Sequence, residues 1–232
     1  MKRYLVTQVF LLLLAGCASP LPPAGPVAAN VQAPQMQIGD YWEYSVSDGY
    51  TRRPRGTYRY EVRRFDADNA IVEVTQDGRP VETQIYAAGW SGRDHTLTNL
   101  QRFRYDPPYP AYAFPLAPGK SWVTVVNATD PATGKVYRVH VRAKVIGWER
   151  IRVPAGEFDT LKIQRYVFAG NPQWSRSQEE IAQTDWYAPA VRRAVRSQGN
   201  SSHIDSSRSG EEGPLVINGD WLIAELVGYS GR

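Results

Sequence analysis

The sequence holds one cysteine, Cys17, among its 232 residues. A chain with a single thiol cannot close an internal disulfide or build a cysteine-based zinc site. Histidine is nearly as scarce: His95, His140 and His203 lie far apart, and no pair has the spacing of a metal site. Neither a metal nor a cofactor is therefore expected. Long apolar runs are missing as well. The longest near the N-terminus, Val9 to Leu14, falls well short of the roughly 20 residues that a transmembrane helix needs. No stretch carries a convincing amphipathic helical period. Charge of one sign is not in marked excess, and Arg and Glu alternate through most of the chain instead of gathering in one basic stripe. Nucleic acid is not an expected partner.

The first seventeen residues do carry a signal. Lys2 and Arg3 give a basic start, Val9 to Leu14 an apolar stretch, and Leu14-Ala15-Gly16-Cys17 a small-residue close. A charged start, a short apolar run and small residues at its end make a secretory signal peptide. Leu-Ala-Gly-Cys further resembles the lipobox of bacterial lipoproteins. That resemblance implies cleavage between Gly16 and Cys17 and acylation, including palmitate, of the Cys17 thiol. Loss of residues 1–16 removes Lys2 and Arg3, leaving 25 basic residues (27 − 2) against 23 acidic ones. Residues 17–38 follow as a Pro/Ala-rich tether. Its composition predicts an extended, disordered spacer of about 3 Å per residue. Ala18 and Ser19, where an Asp would imply inner-membrane retention, imply an outer-membrane anchor facing the periplasm if the host is Gram-negative.

From residue 39 the pattern changes to period two. Trp42, Tyr44 and Val46 alternate with Tyr41, Glu43 and Ser45, as in a half-buried strand. Turn signals then recur every eight to fifteen residues. Asp48-Gly49 is one, Asp66 to Asn69 the second, Asp77 to Pro80 the third. Asp106 to Pro118 holds five prolines and three aromatics, which predicts an ordered loop or an edge crossing rather than a central strand, because proline removes ladder donors. A kink is expected at Gly147, and Val153-Pro154-Ala155-Gly156 is read as a hairpin turn with Gly156 at positive φ. A bulge near Asp159-Thr160 would reconcile the parities of Phe158 and Leu161. Gly199 to Pro214 is read as a mobile loop and Trp221 to Val227 as the closing strand. Roughly eleven strands predict an all-β domain over 39–232, a single antiparallel, strongly curved sheet forming a half-barrel or open barrel with long loops.

Three motifs in the second half carry a family resemblance. They are Phe114-Pro115-Leu116 with Gly119-Lys120-Ser121-Trp122, then Val153 to Phe158, then Trp186-Tyr187-Ala188-Pro189. In that order they resemble the TapB-like group of β-rich bacterial envelope lipoproteins of unassigned function. That group is similar in architecture to the half-barrels of the LolA/LolB carriers. The resemblance implies a fold and a compartment, and brings no catalytic residues.

Catalytic chemistry is hard to assemble from the residues. Neither Gly89-Trp90-Ser91-Gly92 nor Gly228-Tyr229-Ser230-Gly231 fits a nucleophile elbow. His140 is read as a strand-face residue, and His95 is placed in a turn. Glu179-Glu180 and Glu211-Glu212 are adjacent pairs that a strand would splay to opposite faces. Glu149 is read as a strand-end partner for a nearby Arg. Aromatics remain: Tyr105, Tyr109, Tyr112 and Phe114, interleaved with prolines, are the candidate ligand contacts. The function expected is a non-enzymatic envelope lipoprotein. It would bind an apolar or lipid-like ligand on a curved sheet, with the Pro-rich segment as cover. A structural or protein-interaction module using an exposed strand edge is the first alternative, and an envelope glycan or peptide hydrolase the second.

Overall fold

The structure, a computed structural model, describes residues 21–97, 102–170, 177–210 and 213–230. The signal peptide, Gly16 and Cys17 lie outside the described residues. Twelve strands follow one another: β1 (Tyr41–Asp48), β2 (Pro54–Asp66), β3 (Asn69–Gln76), β4 (Arg79–Ala87), β5 (Ser91–Thr96) and β6 (Arg102–Pro110). They continue as β7 (Ser121–Thr129), β8 (Val136–Val153), β9 (Gly156–Ala169), β10 (Glu179–Ala188), β11 (Arg193–Gly210) and β12 (Gly213–Tyr229). Each pairs antiparallel with its sequence neighbours, and β1 pairs with β12, from Trp42↔Tyr229 to Asp48↔Leu222.

The all-β antiparallel class is thus as expected, but the sheet closes on itself and is no half-barrel. Closure requires both chain ends to present strands, and β12 is long enough to serve β11 and β1 together. Three local expectations change with it. Residues 199–210, read as a mobile loop, belong to the β11–β12 hairpin, where Gly199↔Leu222 through Asp205↔Leu215 stay in register apart from one irregularity. Gly92-Arg93-Asp94, the turn expected to hold His95, lies within β5. The prolines at 107, 108 and 110 lie within β6. They are tolerated because β6 meets β7 only at Arg104, Tyr105 and Asp106. The Gly147 kink is present as a register shift between Val145 and Gly147. The extra residue, Ile146, is on β8, so β9 needs no bulge at Asp159-Thr160. Gly156 takes φ +136° in the β8–β9 turn.

Alternation fixes which side chains enter the barrel. On β1, Trp42, Tyr44, Val46 and Asp48 are buried, and on β9 Leu161, Ile163, Arg165, Val167 and Ala169 are. The opposite faces carry charge, with Arg59, Glu61 and Arg63 on β2 and Arg138, Arg142 and Lys144 on β8. A membrane-spanning barrel presents an apolar band outward, so these charged faces belong in water.

The two ends of the barrel differ. Around the start of β1, a plug of Trp42, Trp90, Tyr112, Leu116, Tyr187 and Val191 closes the interior. Trp42 and Trp90 meet edge to face at 5.0 Å, and their indole N–H groups donate to the carbonyls of Val191 and Arg192 at 2.7 and 2.8 Å. Buried indoles need such acceptors. Asp40, fully buried, accepts two bonds of 2.9 Å from the Arg192 guanidinium.

The described part of the Pro/Ala-rich segment is not a free spacer. Leu21 O accepts from Arg150 N at 2.9 Å, Ala24 N donates to Asp159 Oδ1 at 3.0 Å, and Val31 exchanges two 2.8 Å bonds with Leu116. Val31 is buried in the plug cluster. The segment therefore runs across the closed end. Its prolines keep it extended, while its few apolar side chains find partners there. A second apolar cluster, with Leu97, Phe103, Val126, Val141 and Ile181, fills the interior between β6 and β10.

Candidate functional site

Between the plug, the second cluster and the β1–β4 wall lies a chamber of ≈ 900 Å³. A twelve-stranded barrel is wider than the eight-stranded ones whose side chains nearly fill them, so such a space follows from strand number. At the level of the plug the chamber is floored by Trp90, Tyr112 and Arg193, and towards the other end it is rimmed by Arg55, Arg102 and Asp220. The wall between mixes apolar Val46, Val74 and Leu222 with Tyr44, Tyr60 and Gln84.

Two arginines project into it from inward-facing strand positions. Arg165, on β9, is buried and bonded to the Asp185 carboxylate of β10, Nη2 to Oδ2 at 2.7 Å. Its Nη1 donates to the Ala111 carbonyl at 2.7 Å. Asp185 also accepts from Tyr112 Oη at 2.8 Å, Ser197 Oγ at 2.6 Å and Gln183 Nε2 at 3.2 Å. Four donors from four side chains thus converge on one carboxylate.

Arg193, at the start of β11, has a different setting. Its Cζ lies 4.2 Å from the Tyr60 ring centre, 4.4 Å from Trp90, 5.5 Å from Trp42 and 5.9 Å from Tyr44. The rings stabilise the cation through their π faces but supply no acceptor. Among the described residues no carboxylate pairs with Arg193, and its Nη1 is sealed from solvent without a hydrogen-bond partner. Of the neighbouring hydroxyls, Tyr44 Oη donates to the Ala194 carbonyl at 2.7 Å and Tyr86 Oη to Gln84 Oε1 at 2.6 Å, which leaves the Tyr86 oxygen as a neutral acceptor facing Arg193. Burial pushes the phenols of Tyr44, Tyr60, Tyr86 and Tyr112 above their ordinary value, so they stay neutral.

Of the four aromatic contacts expected from sequence, Tyr109 and Tyr112 line the chamber. The other two are a correction. Tyr105, on the same parity as Phe103, packs into the second cluster with its ring 4.9 Å from His95. Phe114 lies in the plug, 5.6 Å from Tyr187. The Pro-rich segment is accordingly a floor and not a cover, since Tyr112 and Leu116 point into the closed end.

His95 is in strand β5, stacked on Tyr86 at 5.5 Å, and burial pushes its pKa down. Its Nδ1 is 2.9 Å from the Thr96 carbonyl, so that nitrogen carries the proton of the neutral ring. Glu149 is buried. Its partners are Trp186 Nε1 and, at 3.6 Å, Lys162, rather than an arginine. No group of three His, Cys, Asp or Glu suited to a metal occurs among the described residues.

Sequence reading missed both arginines. Arg165 was detectable as a charge at a position whose parity is otherwise apolar (Ile163, Val167). Arg193 was not, because the basic pair Arg192-Arg193 reads as a surface turn or strand end, and although Arg193 does begin β11, only the closed topology carries it inward.

No family model matches the chain, and no curated protein does. Solved structures do. A candidate lipoprotein from Parabacteroides distasonis ATCC 8503 is similar at a TM-score of 0.51 and 17% identity, over 86% of this chain and 99% of that one. A candidate exported protein with a YmcC-like fold from Bacteroides fragilis NCTC 9343 is similar at 0.51 and 12% identity, over the same shares. The hypothetical lipoprotein YmcC from Escherichia coli is similar at 0.41 and 9% identity, over 83% of this chain and 86% of that one. The barrel is thus similar in fold to a candidate lipoprotein and to a candidate exported protein described as having a YmcC-like fold.

Proposed function

We propose that this chain is a non-enzymatic, lipid-anchored envelope protein that holds a small amphipathic molecule inside its barrel. The observation that carries this reading is the ≈ 900 Å³ chamber, whose mixed wall of tyrosines, aliphatic residues and inward-facing polar groups has the size and chemistry of a small-molecule site. The mixed wall argues for an amphipathic occupant over a purely apolar one. Closure also weakens the strand-edge alternative, because a closed barrel has no free edge for strand addition. The hydrolase alternative finds its best carboxylates, Asp185 and Glu149, already engaged by donors.

Anchoring follows from the lipobox resemblance and is supported by the similar fold of candidate lipoproteins and exported proteins. Leu21 is fixed at the closed end, only four residues after Cys17, a reach of about 14 Å at most. The plug would then face the bilayer and the chamber rim the periplasm, on the outer membrane of a Gram-negative host. Cys17→Ala should abolish palmitate incorporation and membrane fractionation, and labelled protein persisting in the membrane would refute the anchor.

Native mass spectrometry of the exported full chain tests the binding reading. A discrete adduct of one small molecule per barrel is expected. A clean protein mass that no small amphiphile shifts would contradict it.

A further inference from the structure

Resting on the chamber as a ligand site, we propose that Arg193 recognises an oxyanion, so that the ligand is an amphiphile with a single carboxylate, phosphate or sulfonate head seated at the chamber floor.

The argument starts from what the Arg193 guanidinium lacks. Arginine presents five N–H donors in a planar fork and is always charged. A buried cation without an opposite charge or acceptors is costly, and proteins normally complete it within the fold. Arg165 shows that completion in the same chamber: a carboxylate and a carbonyl take its two Nη groups. Arg193 has neither, and four aromatic rings crowd its faces instead. Ring faces hold a guanidinium in place and leave the edge of its fork as the binding element. That edge suits the two coplanar oxygens of a carboxylate or phosphate, in a parallel pair of charge-assisted bonds.

The surrounding charges agree. At the floor Arg165 and Asp185 neutralise each other, so Arg193 leaves one net positive charge there. At the rim Arg55 is held by Asp48 and Arg102 by Asp94, while the carboxylates of Glu82 and Asp220 add negative charge there that disfavours an anion at that end. An anion is therefore drawn to the floor. Above Arg193, Val46, Val74, Leu222 and Ala224 offer an apolar path toward the rim, which the ligand's body would follow.

The probes are two molecules sharing one body: 1-anilinonaphthalene-8-sulfonate, with an oxyanion, and N-phenyl-1-naphthylamine, without one. Fluorescence titration of the full chain should show the sulfonate binding about tenfold or more tightly, the worth of a charge-assisted hydrogen bond. Arg193→Gln should reduce the sulfonate to the level of the neutral probe and leave the neutral probe unchanged, while Arg193→Lys keeps part of the preference. Decanoate and decyl phosphate as competitors distinguish a carboxylate from a phosphate head. Equal affinity for both probes in the wild type, or a sulfonate preference that survives Arg193→Gln, would overturn the inference while leaving the chamber reading intact. If neither probe enters the folded barrel, the chamber reading fails and this inference with it. Should Arg193→Gln not fold, Arg193→Met gives the same comparison.

Discussion

The β9–β10 side of the chamber floor and the β11 side hold the same residue type in opposite circumstances. Arg165 is locked to Asp185, which is itself clamped by Tyr112, Ser197 and Gln183. Arg193 is caged by Tyr60, Trp90, Trp42 and Tyr44 with its Nη1 unpaired. The first arrangement is what a fold does with a buried charge it keeps for itself: a carboxylate and a carbonyl take both Nη groups of Arg165, and only its Nε is left without a partner. The second leaves a guanidinium that lines the chamber with neither a carboxylate nor a carbonyl from the described residues. Groups that a fold leaves incomplete mark function more reliably than those it satisfies.

The sharpest way to break the comparison is at Asp185. Asp185→Asn leaves Arg165 as an uncompensated buried cation and should cost about 3–5 kcal/mol, read as a large fall in the denaturation midpoint. A loss below about 1 kcal/mol would mean the network is no structural element. The next effect has the opposite sign. Arg193→Met removes a half-buried charge that no carboxylate of the described residues offsets, so the unliganded barrel should gain about 1 kcal/mol, raising Tm by about 2–4 °C. A clear fall in Tm would assign Arg193 to holding the aromatic cage and not to a ligand.

The smallest effect concerns pH. Burial among tyrosines lowers the pKa of His95 from 6.5, so below that value the unfolded chain binds more protons than the folded one. Stability from this residue is complete above pH 6.5 and declines as pH falls from there toward the lowered native value. His95→Gln should remove that step from a stability profile between pH 7 and 5. An unchanged step would place its source elsewhere. The buried phenols act at the other extreme: their raised pKa values make stability fall above about pH 10, where only the unfolded tyrosines ionise.

Much of the fold was legible because period-two alternation and Gly/Pro turn signals are local. Trp42, Tyr44 and Val46 announced β1, and Gly156 the β8–β9 turn. Closure was not legible, since nothing local in β1 or β12 states that they meet. The β11–β12 hairpin was obscured by its Ser- and Gly-rich composition, which pairing with a long neighbour overrides. For the site, Tyr109 and Tyr112 were reachable as aromatics beside prolines. Tyr105 and Phe114 looked equivalent to them, and only strand parity and the plug separate the four. Arg193 became visible only in three dimensions.

The most direct measurement of the central claim obstructs the chamber and asks what is lost. Ala224 faces the chamber from β12 beside Val46. Ala224→Trp would set an indole across the apolar path from Arg193 to the rim while leaving the strand ladders in place. Native mass spectra of the exported wild type and Ala224→Trp, compared at matched Tm, should show a one-to-one small-molecule adduct in the first and none in the second. An adduct that survives in the obstructed barrel, or its absence from both, would contradict the account.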